Sequence, residues 1–180
     1  MSTSTILQGY KHFLGMDDIT NPTFDDRLTS LYTKATQVLK SRLGYSWERA
    51  AITHEMHDPF NQCGKPERKL YLNVLPIQTT PALVVLVESE TLTVNTDYWV
   101  YKNYLYMPYI SSTTPLTVDV SYTGGLVEAD LEFSEYSQML YEIMKYWMQL
   151  QDTTQPGAFI DYRVPREIDQ QIIDKKVYEL

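Results

Sequence analysis

The chain has 180 residues, 15 Lys+Arg against 23 Asp+Glu for a formal net charge of −8, and 43% hydrophobic residues. These values describe a globular chain able to bury roughly 70% of its unfolded surface, while a pI near 4.8 argues against nucleic-acid binding driven by phosphate neutralisation. The lone Cys63 excludes an internal disulfide framework, no apolar run is long enough to span a membrane, and Met1 to Gly15 lacks the apolar stretch of a secretory signal.

Thr3 to Phe13 is expected to form a short helix or packing segment, and Asp17-Asp18 the turn after it. The next element is clearer. Phe24, Leu28, Leu31, Tyr32, Ala35, Val38, Leu39 and Leu43 recur at steps of three and four, which is one face of a helix. Thr23 is the expected N-cap, with Asp26 completing a variant capping box. Asp25 sits where the helix dipole favours anions, Lys40 and Arg42 lie near the other end, and Gly44 stops the helix. The stretch from Ala50 to Glu67 reads as a long polar loop.

From about Lys69 to Gly125 the period changes. Leu70, Leu72 and Val74 alternate with Tyr71 and Asn73, and Leu83 to Val87 is a short apolar run. Tyr98 to Tyr101 and Tyr104 to Met107 flank Lys102-Asn103, which predicts a hairpin with Asn103 left-handed. Leu116, Val118 and Val120 alternate with polar residues up to Thr123-Gly124-Gly125. Five strand candidates bounded by prolines and a glycine pair predict an antiparallel sheet or small sandwich.

Phe133, Met139, Leu140, Ile143, Met144 and Trp147 then recur at helical steps, with Ser134 as expected N-cap, to about Gln151. Asp152 to Ala158 reads as a linker. Pro165 opens a terminal helix whose apolar stripe is Ile168, Ile172, Ile173 and Val177. Strands inserted between helices give an α+β class. The expected architecture is a small helical bundle with an inserted antiparallel β-sheet or sandwich and a C-terminal helical arm. Residues 1–151 form the core, with the β insertion at about 69–125. Residues 152–180 supply the linker and the terminal helix.

The familiar catalytic signatures are missing. His54-Glu55-Met56-His57 spaces its histidines three apart, not the four that place both on one helix face toward a zinc ion. Gly64-Lys65 is followed by Pro66, not the Ser or Thr of a P-loop. No cofactor or metal is expected, and no catalytic residue is assigned. A hydrolase built on converging carboxylates stays open as a minor alternative.

Three features offer interaction surfaces. The chain has 15 Tyr against five Phe, and Tyr98, Trp99, Tyr101, Tyr104, Tyr106 and Tyr109 cluster in the hairpin. Such rings stabilise a hairpin by cross-strand pairing, form a protein–protein surface, or stack bases; the last needs a cationic groove, and Lys102 is the only base between Asp97 and Gly125. Glu128, Asp130, Glu132 and Glu135 form an acidic stretch, either a solvated feed into a helix or a surface that repels phosphate. The terminal helix either folds back on the core or docks in a partner groove.

Several pieces together resemble the head–tail connector proteins of tailed bacteriophages, also called adaptor or head-completion proteins. They are the helix from Pro22 to Leu43 ending near Tyr45-Ser46-Trp47, the strand Leu70 to Pro76, the Val-rich Leu83 to Glu88, and Tyr98-Trp99-Val100 followed by Tyr104 to Met107. The ending Val118-Asp119-Val120-Ser121-Tyr122-Thr123-Gly124-Gly125 is the most telling, and a helix with Tyr141 and Trp147 and then Val164-Pro165 follow it. The resemblance implies a non-enzymatic structural protein of the virion neck, made in the host cytoplasm. It implies a ring, usually of twelve subunits, that joins the portal to the tail or a stopper protein and lets double-stranded DNA pass without tight binding. The terminal helix would dock on the portal through Val164, Pro165, Ile168, Ile172, Ile173, Val177 and Tyr178. Glu128, Asp130 and Glu132 are candidates for the DNA channel. Tyr98, Trp99, Tyr101, Tyr104 and Tyr106 are candidates for subunit or partner contacts. A tail-terminator or baseplate component is the alternative within virion proteins.

Overall fold

Two units emerge from the chain path, one of helices and one of strands. The helical unit comprises Met1–Gly44 and Glu128–Leu180, and the β unit comprises Tyr45–Val127. The computed structural model describes residues 3–17, 20–58, 68–108, 117–153 and 162–179. Asp18, Cys63, the Gly64-Lys65-Pro66 stretch, Tyr109, Leu116 and the Pro156-Gly157 linker lie outside the described residues.

The helical unit holds α1 (Thr3–Phe13), α2 (Pro22–Leu43), α3 (Leu131–Thr153) and α4 (Arg166–Glu179). α2 has the span its apolar steps predict. Its cap is Asn21, not Thr23: the Asn21 side chain accepts from the backbone N–H groups of Thr23 and Phe24 at 3.1 and 3.4 Å. Thr23 lies inside the helix, so its own N–H is one of the orphans to be satisfied. Gly44 ends the helix at φ 86, its N–H bonded to the Lys40 carbonyl. That left-handed position is one where glycine carries no Cβ penalty.

α2 packs against α1, α3 and α4. Leu28, Leu31, Ala35, Leu39 and Leu43 supply its buried stripe. Tyr10, Met139, Leu140, Ile143, Met144 and Trp147 are buried in the same unit. A Lys11–Asp25 ion pair at 2.7 Å ties α1 to α2.

α3 starts three residues earlier than its expected cap. Ser134 already stands in the first turn, where its hydroxyl donates back to the Leu131 carbonyl at 2.6 Å. Pro165 precedes α4 by one residue, and its carbonyl accepts from the N–H groups of Ile168 and Asp169. The approach to α4 is tied to α3. Trp147 Nε1 donates to the Arg163 carbonyl at 2.8 Å, Tyr162 meets the Trp147 ring edge-on at 5.2 Å, and Gln151 donates to the Tyr162 hydroxyl at 2.9 Å. The terminal helix is thus part of the helical unit and not a segment set apart at residue 152.

The β unit contains β1 (Ala50–His57), β2 (Lys69–Tyr71), β3 (Val84–Val87), β4 (Glu90–Thr91), β5 (Trp99–Val100), β6 (Tyr104–Tyr106) and β7 (Val118–Gly124). They form a four-stranded sheet, β1-β7-β3-β4, and a three-stranded sheet, β2-β6-β5, antiparallel throughout. The predicted Tyr98–Met107 hairpin is present as β5–β6, but Asn103 is not left-handed; the positive-φ residues include His54, Glu88, Ser89 and Asn95 instead. Glu88 and Ser89 make the tight β3–β4 turn, with both residues at positive φ, the twist-matched geometry for a two-residue loop.

β1 is a strand where a polar loop was expected, so the insertion begins at Tyr45 and not near residue 69. The reason lies in its phase. The register with β7 shifts between Ile52 and Glu55, and His54 sits there at φ 59, as in a bulge. Downstream of the shift, charged Glu55 points inward and apolar Met56 outward.

The core of this unit joins Leu70, Leu72, Val74, Leu75, Ile77, Val85, Tyr98, Leu105, Met107, Val118, Val120 and Tyr122. Residues 73–78 stitch the unit together through bonds to Ser46, Lys102 and Thr123. Gly124 and Gly125 then form a narrow passage. A Cβ on Gly124 would collide with the Val74 carbonyl, and one on Gly125 with the Glu48 carbonyl. Gly125 also has φ 86, so the most telling sequence piece is a backbone crossing that side chains would block.

Candidate functional site

Strand alternation in the β2-β6-β5 sheet sorts its residues by face. Leu70 pairs with Leu105, which pairs with Val100, and Leu70 and Leu105 are buried. The intervening positions, Lys69, Tyr71, Tyr104, Tyr106 and Trp99, therefore share the opposite face. Their rings touch. Tyr101 stacks on Tyr104 at 4.8 Å, Tyr71 meets Tyr104 at 5.8 Å, and Trp99 meets Tyr106 at 6.3 Å. The Lys69 ammonium stands 4.9 Å over the Tyr104 ring, a cation–π contact. Tyr71 and Tyr101 are 41% and 47% exposed. Tyr98 leaves this group: it is buried, and its hydroxyl donates to the Leu83 carbonyl at 3.3 Å.

The acidic stretch lies at the start of α3. Glu128 is exposed, while Asp130 and Glu132 are half-buried. Leu131, between them, is 83% exposed. Glu135 is paired with Lys175 of α4 at 2.7 Å, a basic neighbour that sequence spacing could not show.

In the terminal helix, Ile168 and Ile172 are buried and Ile173 is exposed. Val164 and Pro165 are half-buried. The side chains of Val177 and Tyr178 lie outside the described residues. Two members of the expected docking stripe are thus covered by their own unit, because α4 packs on α2 and α3.

Sequence reasoning missed a buried polar cluster in the β unit. Glu55 Oε1 accepts from His57 Nε2 at 2.6 Å and from the Asn73 N–H at 3.0 Å. Glu55 Oε2 accepts from the Tyr122 hydroxyl at 2.7 Å, and that hydroxyl accepts from the Val74 N–H at 3.0 Å. Burial works to raise the Glu55 pKa, but the hydrogen bonds from His57, Tyr122 and Asn73 outweigh it and hold the carboxyl below its ordinary range. Burial, and then the bond to Glu55, push the Tyr122 hydroxyl well above its ordinary value. Both carboxylate oxygens are engaged by groups of the same unit. The cluster fastens β1 and β7 to the segment after β2, which is a structural task. His54, the other histidine of the motif, bonds Asp119 at 2.7 Å on the exposed side. No group of three or more metal-ligating side chains occurs among the described residues, and no described helix is long and apolar enough to cross a membrane.

No family model matches the chain, and no curated protein does. Among solved structures, the chain is similar to one from the neck of an empty gene transfer agent particle computed with C6 symmetry, at 14% identity and TM-score 0.51, over 92% of this chain and 87% of that one. It also aligns with a chain of the virion of a native gene transfer agent particle, at 12% identity and TM-score 0.48, over 95% of this chain and 88% of that one. The first likeness establishes a shared fold across both units.

Proposed function

We propose that the chain is a structural protein of a phage-type virion neck. It assembles into a ring that joins the portal to the tail or to the next connector, and it performs no catalysis. The observation that carries this reading is the shared fold: a chain from a gene transfer agent neck follows this one over 92% of its length. The sequence resemblance to head–tail connectors points the same way from independent residues. Six and twelve copies both satisfy the sixfold symmetry applied to that neck; twelve is the number the resemblance implies.

The physical chemistry supports a conduit. A net charge of −8 per subunit gives a twelve-membered ring on the order of −100, a field that keeps DNA from adhering to the wall. A cyclic ring also needs two unlike patches on each subunit, and the aromatic sheet face is one candidate. The outer face of α4, with Ile173, is the candidate for the portal. The protein belongs in the virion, after synthesis in the host cytoplasm.

The test is particle mass, alone and with the portal of the same virus, by mass photometry and negative-stain imaging. Twelve subunits of 21.0 kDa weigh about 250 kDa, and a closed ring of that mass on the portal is the expected result. A hexamer or trimer that ignores the portal would favour a terminator or baseplate role. A monomer that ignores it would sink the reading.

A further inference from the structure

The β2-β6-β5 face and the start of α3 are opposites. The strands of the sheet carry Lys69 and no acid, and Arg68 and Lys102 adjoin them in sequence. Their outward surface is aromatic, with Tyr71 and Tyr101 the most exposed rings. The approach to α3 and its first two residues read Glu128-Ala129-Asp130-Leu131-Glu132, and the large apolar member, Leu131, is 83% exposed. One surface is an apolar platform with a basic border. The other is an apolar tip with an acidic border.

We propose that Leu131 of one subunit seats on the tyrosine face of the next copy of this chain, with Glu128, Asp130 and Glu132 set against that copy's Lys69 and Lys102. The proposal rests on the ring reading, and it assigns the three acids to the subunit contact instead of the DNA channel. Charge complementarity selects the occupant. A contact between identical faces would bring Lys69 against Lys69, or Glu128 against Glu128, and like charges across a contact disfavour it; a reciprocal two-fold pairing of tip and platform would close at two copies. A head-to-tail contact brings opposite charges together, and it is the geometry that generates a cyclic ring. The apolar tip on aromatic rings supplies the desolvated centre, and the charges around it fix register and speed encounter.

Cross-linking of the full chain tests this. In a Cys63→Ser background, Leu131→Cys and Tyr71→Cys are introduced singly and together, and a short bismaleimide is added with and without the portal. Both positions are exposed, so folding should be retained. The doubly substituted chain is expected to give a ladder of dimers, trimers and higher species. Each single variant should stay monomeric, and a mixture of the two singles should stop at dimers. A ladder without a closed ring supports the contact and counts against the ring reading. A ring without a ladder overturns the proposal and leaves the ring reading standing. Neither ring nor ladder overturns both. Dimers from Leu131→Cys alone, or cross-links from Tyr71→Cys to the portal, also overturn it. Independently, Lys69→Glu should weaken assembly roughly tenfold or more, and adding Glu128→Lys should restore it; failure to restore overturns the charge pairing.

Discussion

Replacing Tyr122 by Phe removes one oxygen from the centre of the β unit. That oxygen donates to Glu55 at 2.7 Å and accepts from the Val74 N–H at 3.0 Å. The ring itself can stay, so no cavity term enters. A hydrogen bond to a charged group is worth about 1.5–3 kcal/mol and a neutral one about 1 kcal/mol, and both former partners remain buried. The expected loss is therefore about 3 kcal/mol, or roughly 6–12 °C in midpoint for a chain of this length. Intrinsic fluorescence during urea or thermal unfolding reads it, since Trp47 and Trp99 lie in the β unit.

The substitution also has a pH signature. The folded Glu55 carboxyl is held below its unfolded value, so its contribution is complete above the unfolded value and disappears as pH falls through the folded one. Tyr122→Phe deletes one of the bonds that lowers it and leaves the burial that raises it. The variant's folded carboxyl then lies closer to its unfolded value, so less stability is lost on acidification, and the gap between parent and variant is widest above the unfolded value and narrows as pH falls. A double-mutant cycle with Glu55→Gln isolates the pair, and non-additivity is expected because the side chains touch. A loss below about 0.5 kcal/mol, additivity in the cycle, or an unchanged acid limb would refute the reasoning.

Three other substitutions bear on separate points. Gly125→Ala should cost at least about 2 kcal/mol in chemical denaturation, because it adds both left-handed strain and a collision with the Glu48 backbone. Asn21→Ala should cost about 1 kcal/mol and Thr23→Ala roughly half that or less, since Asn21 holds the cap of α2; the reverse ranking by thermal unfolding would restore Thr23 as the cap. Trp147→Phe should cost about 2–3 kcal/mol by losing the bond to the Arg163 carbonyl along with some packing, and hydrogen exchange should show the approach to α4 loosening.

How much was legible in the sequence depended on whether a segment obeyed one period. α2 has an uninterrupted apolar stripe, and its span follows from it. β7 alternates cleanly and ends on glycines that backbone crowding demands. β1 was opaque because a bulge resets its phase and a buried carboxylate stands where an apolar side chain is normal. The Glu55 cluster was hidden for the same reason: its members are separated by up to 67 residues, and no local pattern links Glu55 to Tyr122. The Asn21 cap of α2 depended on which of two neighbouring polar side chains takes the position, a choice that propensity leaves nearly equal. The folding back of α4 was one of two open outcomes, since an amphipathic stripe shows that a helix will be covered but not by what.

Six of the 15 tyrosines fall into two populations, each with a physical account. Tyr10, Tyr98 and Tyr122 are buried, and each hydroxyl reaches a partner: the Met148 sulfur, the Leu83 carbonyl and Glu55. Tyr71, Tyr101 and Tyr104 share an outward sheet face, where a ring with a wet tip is soluble in the free chain and, under the proposed contact between copies, still contributes apolar area. Phenylalanine would serve neither place as well, because it leaves the inner partners unsatisfied and makes the outer face adhesive before assembly. On that reasoning, replacing Tyr71 and Tyr101 together by Phe should leave assembly intact while lowering the solubility of the unassembled chain. Concentration-dependent light scattering reads the second effect. Unchanged scattering would show that the hydroxyls are dispensable on the outer face and that only their rings matter.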